Sequence, residues 1–69
     1  MKLIELLNLI ATDYKKVPKK IIVFGKEFEW EYNYETDIYK YVVNHNFNDC
    51  LEDYIDFYLD LNLKVEIGE

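Results

Sequence analysis

Residues 20–37, with the sequence KIIVFGKEFEWEYNYETD, decide the fold of this chain. The β-branched and aromatic run at 21–24 predicts a strand, and the following Gly25-Lys26 has glycine first, as a type II′ hairpin turn requires. Beyond the turn, carboxylates alternate with aromatic residues through 27–32, which is the period of a strand with one apolar and one solvated face. The stretch therefore predicts an antiparallel hairpin.

The position of the turn sets which residues face each other, because a two-residue connection pairs the residues on either side of it. Across this hairpin we predict the pairs Phe24–Glu27, Val23–Phe28, Ile21–Trp30 and Lys20–Glu31. This register gathers the apolar side chains of both strands on one face of the sheet and the carboxylates on the other.

A third strand is predicted at Ile38–Val43, after a four-residue loop at 34–37. This loop length predicts the pairs Tyr32–Tyr39, Glu31–Lys40, Trp30–Tyr41 and Phe28–Val43. Glu31 would then have a lysine on each side, Lys20 and Lys40, and its strand would be the centre of a three-stranded meander.

Two helices are predicted to pack on one face of the sheet. In the first, leucine and isoleucine recur at positions 3, 6, 7 and 10, the spacing of one buried helical face. The second begins at Asp49, which has the spacing of a capping box with Glu52, and apolar residues recur at helical intervals from 51 to 59.

The alternation of Leu63, Val65 and Ile67 with charged residues predicts a short closing strand. A right-handed crossover through the second helix would lay this strand parallel to strand 3 and beside strand 1, in the order 4-1-2-3. The predicted fold class is α+β, in the order α-β-β-β-α-β, within a single domain over residues 1–69.

Charge is distributed unevenly along the chain. The formal net charge is −6, and residues 1–26 hold six lysines and two carboxylates, whereas residues 27–69 hold two lysines and twelve carboxylates. Such an acidic segment repels nucleic acid and anionic membranes and is attracted to basic surfaces, so we predict a protein partner and no direct contact with nucleic acid or membrane.

The single cysteine excludes an internal disulfide and favours a reducing compartment. The sequence also shows no signal-peptide pattern and no apolar stretch long enough to span a bilayer. We therefore predict a cytoplasmic location.

Little in the sequence suits catalysis or metal binding. The absence of serine and arginine removes a serine nucleophile and an arginine phosphate clamp. His45 and Cys50 are not spaced as a facing pair, and Asp49 and Asp53 do not complete a usual zinc set with them. We predict no enzyme activity, no catalytic residue, no metal and no cofactor.

The carboxylates form two rows that are candidates for partner binding. Glu27, Glu29 and Glu31 point to one side of a strand about 6.6 Å apart, a spacing similar to that of successive phosphates in nucleic acid. The second row follows one face of the predicted second helix at i, i+4, i+7 and i+11. Two such rows are what a protein imitating nucleic acid would present, although a solvated surface is the ordinary explanation of a charge run.

Apolar side chains share the outward surface with these carboxylates, which is the composition of an interface core with a charged rim. Ile38 belongs to this outward group. The residues predicted to bind a partner are Ile22, Phe24, Glu27, Glu29, Val42, Asp49, Asp53, Asp56 and Asp60.

Two alternatives to protein binding remain open. One is an oligomeric sponge that sequesters a nucleotide signal through the basic connection after the first helix, with Tyr14 stacking on the base. Its candidate nucleotide-binding residues are Tyr14, Lys15, Lys16, Lys19 and Lys20. The other is a structural homo-oligomer, such as a homodimer, in which the basic third of one subunit meets the acidic remainder of another.

Three segments carry a resemblance to a known group of proteins. The runs IELLNLIA at 4–11, VPKKI at 17–21 and LNLKVEI at 61–67 resemble small uncharacterised proteins of bacteriophages and prophages from low-GC Gram-positive bacteria. The resemblance supplies no catalytic or binding residues. It implies a setting in which proteins of this size inhibit host machinery, including anti-CRISPR and other antidefence proteins.

These observations combine into one functional hypothesis. The chain is expected to be a non-enzymatic phage accessory protein that binds and inhibits a host or defence protein. Its acidic faces would engage a basic cleft that normally holds nucleic acid.

Overall fold

A computed structural model describes residues 1–68 of the chain. Within them the chain forms one α-helix, α1 (Leu3–Thr12), and short 3-10 turns at Tyr14–Lys16 and Leu51–Asp53. The strands are β1 (Lys20–Val23), β2 (Lys26–Asn33), β3 (Ile38–Val43), β4 (Asn46–Cys50) and β5 (Glu66–Ile67). They form one antiparallel sheet in the order β4-β3-β2-β1-β5. The predicted α+β class is confirmed, but with one helix fewer and one strand more than predicted.

The β1–β2 hairpin turns one residue earlier than its sequence predicts. Val23 lies opposite Lys26, so the two loop residues are Phe24 and Gly25. Their φ angles are 54° and 74°, and positive φ at both positions is the requirement of a type I′ turn, which matches the twist of the flanking strands. The register therefore differs from the predicted one by two residues.

A shift of two residues leaves every side chain on its predicted face, because side chains alternate with a period of two along a strand. Ile21, Val23 and Phe28 are buried, and Trp30 packs half-buried against them. The predicted pairing of Lys20 with Glu31 is wrong, however. Lys20 lies opposite Glu29.

The β2–β3 hairpin has the predicted register. Trp30 lies opposite Tyr41, Tyr32 opposite Tyr39, and Glu31 opposite Lys40. β2 is the central strand of the sheet, as the two hairpins predict.

Only the first two residues of the segment predicted as a second helix, Asp49 and Cys50, lie in a strand, and the rest forms turns and a loop. β3 and β4 are joined by a two-residue turn at Asn44-His45, where both φ angles are positive, and the 3-10 turn at Leu51–Asp53 follows β4. Residues 54–65 then connect the two edges of the sheet. Asparagine and histidine are among the residues that tolerate positive φ, so this turn is chemically reasonable.

Side chains that bind their own backbone explain why the helix does not form. Asp56 accepts hydrogen bonds from the amides of Tyr58 and Leu59 at 2.8 and 3.1 Å, and Asp60 accepts one from the amide of Asp56 at 2.9 Å. Such bonds compete with helical ones and favour turns. The predicted helical row of Asp49, Asp53, Asp56 and Asp60 is therefore wrong.

The closing strand lies beside β1, as predicted, but it runs in the other direction. β5 is antiparallel to β1, with Ile22 opposite Glu66, and it is therefore antiparallel to β3 as well. The predicted parallel orientation is wrong because β4, an additional strand, reverses the chain before it crosses the sheet.

The segment before β5 caps the N-terminus of α1. The amides of Leu3 and Ile4 donate to the carbonyl oxygens of Leu63 and Leu61 at 2.8 and 2.9 Å. Amides in the first helical turn have no acceptor within the helix, so these bonds satisfy them. Of the strand predicted at 63–67, only Glu66–Ile67 therefore forms a regular strand.

The core lies on one face of the sheet, beneath α1 and the connection between β4 and β5. Its buried members are Leu3, Leu6, Val17, Ile21, Val23, Phe28, Tyr41, Leu51, Ile55 and Val65. The hydroxyl of Tyr41 donates to the carbonyl oxygen of Pro18 at 2.7 Å, which satisfies a polar atom in this core. Among residues 1–68, no helix combines the length and apolarity needed to cross a bilayer.

Replacing Gly25 with alanine is expected to destabilise the fold through the backbone. No atom lies within 4 Å of the position of the new Cβ, so the penalty comes from the left-handed φ of +74° and should be about 1 to 2 kcal/mol. Gly25→Asn should cost less, because asparagine tolerates this conformation. Urea unfolding measures both, and equal losses in the two variants would contradict this explanation.

Replacing Phe24 with asparagine is expected to stabilise the fold. Phe24 holds a bulky side chain at φ 54° while 70% exposed, so its conformation is unfavourable and its packing slight. Asn-Gly is the preferred type I′ pair, and the gain should be about 1 kcal/mol, or roughly 4 to 8 °C in Tm. A lower Tm would show that the Phe24 ring contributes more packing than its exposure indicates.

Candidate functional site

The free face of β1 and its neighbours carries an apolar residue between two carboxylates. Ile22 lies opposite Glu27 of β2 on one side and Glu66 of β5 on the other. Directly paired residues of antiparallel strands share a face, so these side chains form a row across the sheet. Phe24 lies at the tip of the same hairpin. We call these four residues the hairpin surface.

The ion pair between Lys20 and Glu27 at the hairpin surface leaves the carboxylate of Glu27 accessible. The ammonium of Lys20 lies 3.8 Å from a carboxylate oxygen of Glu27, and both side chains are exposed. A pair of this length in solvent contributes little and is screened by salt. Glu27 therefore stays accessible to a cation of a partner.

The other two carboxylates of the predicted row have different surroundings. Glu29 and Glu31 are half-buried, and the carboxylate of Glu31 contacts Nδ1 of His45 in the β3–β4 turn. Lys40 lies opposite Glu31 in the register but donates to a carboxylate oxygen of Glu52 at 2.7 Å. The row predicted from sequence is thus divided into an exposed Glu27 and a pair that faces a histidine.

Val42 is fully buried, so its predicted place on the outward surface is wrong. It pairs with Cys50, whereas the adjacent Val43 pairs with Asn46, and residues 47–49 are left out of the ladder. The resulting bulge belongs to β4, a strand that was not predicted and whose last two residues were assigned to the second helix. Ile38, at the other end of β3, is exposed as predicted.

The connection between β4 and β5 presents a second exposed apolar group. The side chains of Tyr58 and Leu59 are 90% and 84% exposed. Asp56 accepts hydrogen bonds from their amides, and Asp60 accepts one from the amide of Asp56. The loop therefore displays two large apolar residues between two carboxylates, and we call residues 56–60 the aspartate loop.

Asp49 and Asp53, the other two aspartates predicted to bind a partner, accept hydrogen bonds near the end of β4. Asp49 accepts a hydrogen bond from the hydroxyl of Tyr54, and this bond raises the pKa of Tyr54. Asp53 accepts one from the amide of Cys50 at 3.2 Å. Both aspartates therefore act in the local structure of the chain.

The environment of Cys50 does not activate its thiol. Burial raises the pKa of Cys50, whereas the nearby Lys40 ammonium lowers it. The Cys50 thiol donates a hydrogen bond to the carbonyl oxygen of Phe47 at 2.8 Å. A thiol that stays protonated at neutral pH is a poor nucleophile. The pKa of Lys40 is itself raised by its hydrogen bond to Glu52.

Part of the predicted nucleotide-binding group lines a hollow of about 380 Å³. Its walls are Tyr14, Lys15, Val17, Lys19, Trp30 and Tyr39. The rings of Trp30 and Tyr39 are stacked, with centroids 5.3 Å apart and planes at 8°, and Tyr14 lies 5.6 Å from Tyr39. The other two lysines point elsewhere, because Lys16 pairs with Asp13 and Lys20 with Glu27.

Sequence reasoning missed residues that reach these sites from distant parts of the chain. Glu66 joins the hairpin surface through β5, and His45 reaches Glu31 through the β3–β4 turn. Neither pairing has a local signal. The contribution of Trp30 and Tyr39 to the hollow was predictable in part, because the β2–β3 register already placed both rings on the same face.

Comparisons with protein-family models, with curated proteins and with solved structures found no match to this chain.

Proposed function

We propose that this chain is a non-enzymatic binding protein whose hairpin surface docks on a basic surface of a partner protein. We further propose that the partner is a host or defence protein of a bacterium and that binding inhibits it. The docking proposal is supported by the hairpin surface itself. The inhibitory role is supported by the resemblance of the chain ends to phage proteins.

The observation that carries the docking proposal is the conformation of Phe24. This residue is unfavourable for its turn and contributes little packing, as its left-handed φ and its 70% exposure indicate. Backbone strain of this kind, of order 1 to 3 kcal/mol, is concentrated at functional sites. A large aromatic side chain on a tight hairpin is also well suited to fill a pocket of a partner, because aromatic residues dominate interface hot spots.

The charges around Phe24 indicate what kind of partner fits. Glu27 and Glu66 flank Ile22 across the sheet, and the aspartate loop repeats the combination of apolar and acidic groups. The complementary surface has an apolar pocket with lysine or arginine at its rim. Nucleic-acid-binding proteins carry such basic surfaces. In this proposal the acidic rim steers the approach and Phe24 supplies the affinity.

Removing the Phe24 ring should weaken partner binding without weakening the fold. The immobilised protein is used to capture proteins from a lysate of a low-GC Gram-positive bacterium, and the affinity of the recovered protein is then measured. Loss of an aromatic hot spot costs about 2 kcal/mol or more, so Phe24→Asn should lower the affinity roughly 30-fold. The charge reversal Glu27→Lys should slow association and reduce its dependence on salt.

Two matched controls locate the effect. Tyr34→Asn removes an aromatic ring that is 89% exposed in the β2–β3 loop, and Glu35→Lys reverses a carboxylate in the same loop. Both should bind as the unmodified protein does. Light scattering on the purified chain checks that the captured protein is not a second copy. Equal affinity of Phe24→Asn and the unmodified protein would remove the hairpin surface from the site.

A second candidate function is nucleotide binding in the hollow beside α1. It is favoured by the grouping of three aromatic rings with the side chains of Lys15 and Lys19 around one opening. Aromatic faces stack on bases, and ammonium groups neutralise phosphates. In this candidate the protein would sequester a nucleotide signal.

Calorimetry with cyclic and linear adenosine and guanosine nucleotides tests this candidate. Lys15→Ala should weaken binding about tenfold or more, because a hydrogen bond to a charged group contributes about 1.5 to 3 kcal/mol. Lys16→Ala is the matched control, since Lys16 is the next residue but pairs with Asp13 outside the hollow. No heat with any nucleotide, or an equal loss in both variants, would contradict the assignment.

A further inference from the structure

The face of β2 opposite the core brings two carboxylates and an imidazole together. Glu29 and Glu31 are two residues apart on one strand, so their side chains point to the same side. His45 reaches them from the β3–β4 turn. Each residue offers one donor atom, and the three atoms lie within 4.8 Å of one another. We call this group the carboxylate–histidine cluster.

The lysines beside β2 do not neutralise this cluster through the ion pairs that they form. Lys20 lies opposite Glu29 but pairs with Glu27 at 3.8 Å, and Lys40 lies opposite Glu31 but pairs with Glu52 at 2.7 Å. Two carboxylates of like charge therefore share a site whose third member is a histidine. Such an arrangement favours an added cation.

One oxygen of Glu31 lies almost buried inside the cluster. Its Oε2 is almost fully buried, although the side chain as a whole is 23% exposed, and apart from the His45 contact no hydrogen bond to it forms within the described part of the chain. It contacts Nδ1 of His45, the imidazole atom that faces the strand. A cation bound between this oxygen and Nδ1 of His45 would be a ligand partner for both atoms.

The donor set indicates which cations suit the site. One imidazole nitrogen and two carboxylate oxygens are the ligands of zinc and of other first-row divalent ions, whereas calcium takes six to eight oxygens. Three protein ligands leave further positions for water. Zn²⁺ ranks near the top of the affinity order for such ligands and has no strict geometric demand.

We propose that Glu29, Glu31 and His45 form a binding site for a divalent transition metal and that Zn²⁺ occupies it. The metal joins the β3–β4 turn to the central strand and closes a loop within a small domain. It lies outside the hairpin surface, so the site stands or falls independently of the proposed docking function. Two of its ligands come from the carboxylate row that the sequence analysis assigned to partner binding.

Zinc titration of the full chain, prepared without a histidine tag and stripped with chelator, tests the site. We expect one Zn²⁺ per chain by calorimetry. At a concentration about tenfold above Kd, the Tm should rise by roughly 5 to 10 °C. The chain has a single histidine, so the imidazole resonances in an NMR spectrum report His45 without ambiguity, and they should shift with Zn²⁺.

Isosteric variants identify the ligands. Glu29→Gln, Glu31→Gln and His45→Asn should each weaken Zn²⁺ binding at least tenfold, and asparagine preserves the positive φ of 62° at position 45. Glu27→Gln is the matched control, because Glu27 lies on the same face of β2 outside the cluster, and it should bind as the unmodified protein does.

Three outcomes would overturn the proposal. The first is no Zn²⁺-dependent rise in Tm together with no heat of binding. The second is binding that all three ligand variants retain, which would place the metal at other carboxylates. The third is binding that leaves the imidazole resonances of His45 unchanged, which would remove His45 from the site.

Discussion

The type I′ turn at Phe24-Gly25 fixes the side of the sheet on which each residue of β1 and β2 lies. A two-residue turn with positive φ at both positions matches the right-handed twist of adjacent strands, and side chains alternate along each strand. The core face and the free face follow from this one turn. Because β5 and β3 pair with the two strands of this hairpin, their orientation is constrained by the same geometry.

The sequence was informative wherever a contact is local. The β1–β2 and β2–β3 hairpins could be predicted, and so could α1 and the faces on which the side chains of β1 and β2 lie. Each of these depends on residues that are close along the chain. The predicted register was wrong by two residues, since Phe24 rather than Lys26 takes the strained loop position. A shift by an even number of residues does not change the face on which a side chain lies. Ile22, Phe24 and Glu27 were therefore correctly placed on the free surface.

The other wrong predictions have their origin in residues 44–65, where the same residues suit two structures. Asp56 fits an exposed helix surface, but its side chain can also bind backbone amides of a turn, and here it does. Without the helix, Asn46–Cys50 pairs as β4 and buries Val42. The partners of Glu31 changed for two reasons, because the β1–β2 register places Lys20 opposite Glu29 and the β3–β4 turn brings His45 to Glu31. His45 reaches Glu31 only because β4 exists, and no pattern within a short window encodes that contact.

The two proposed sites have opposite effects on the stability of a domain with a small core. Sixty-nine residues supply a modest margin of stability, and a single cysteine offers no disulfide. Phe24 lowers that margin at one end of β2, where an aromatic ring occupies a position that suits asparagine. A metal held by Glu29, Glu31 and His45 would restore part of it further along the same strand, by joining the β3–β4 turn to β2. Small domains without disulfides commonly gain stability from such a metal, and the central strand is where one connection stabilises the largest share of the sheet.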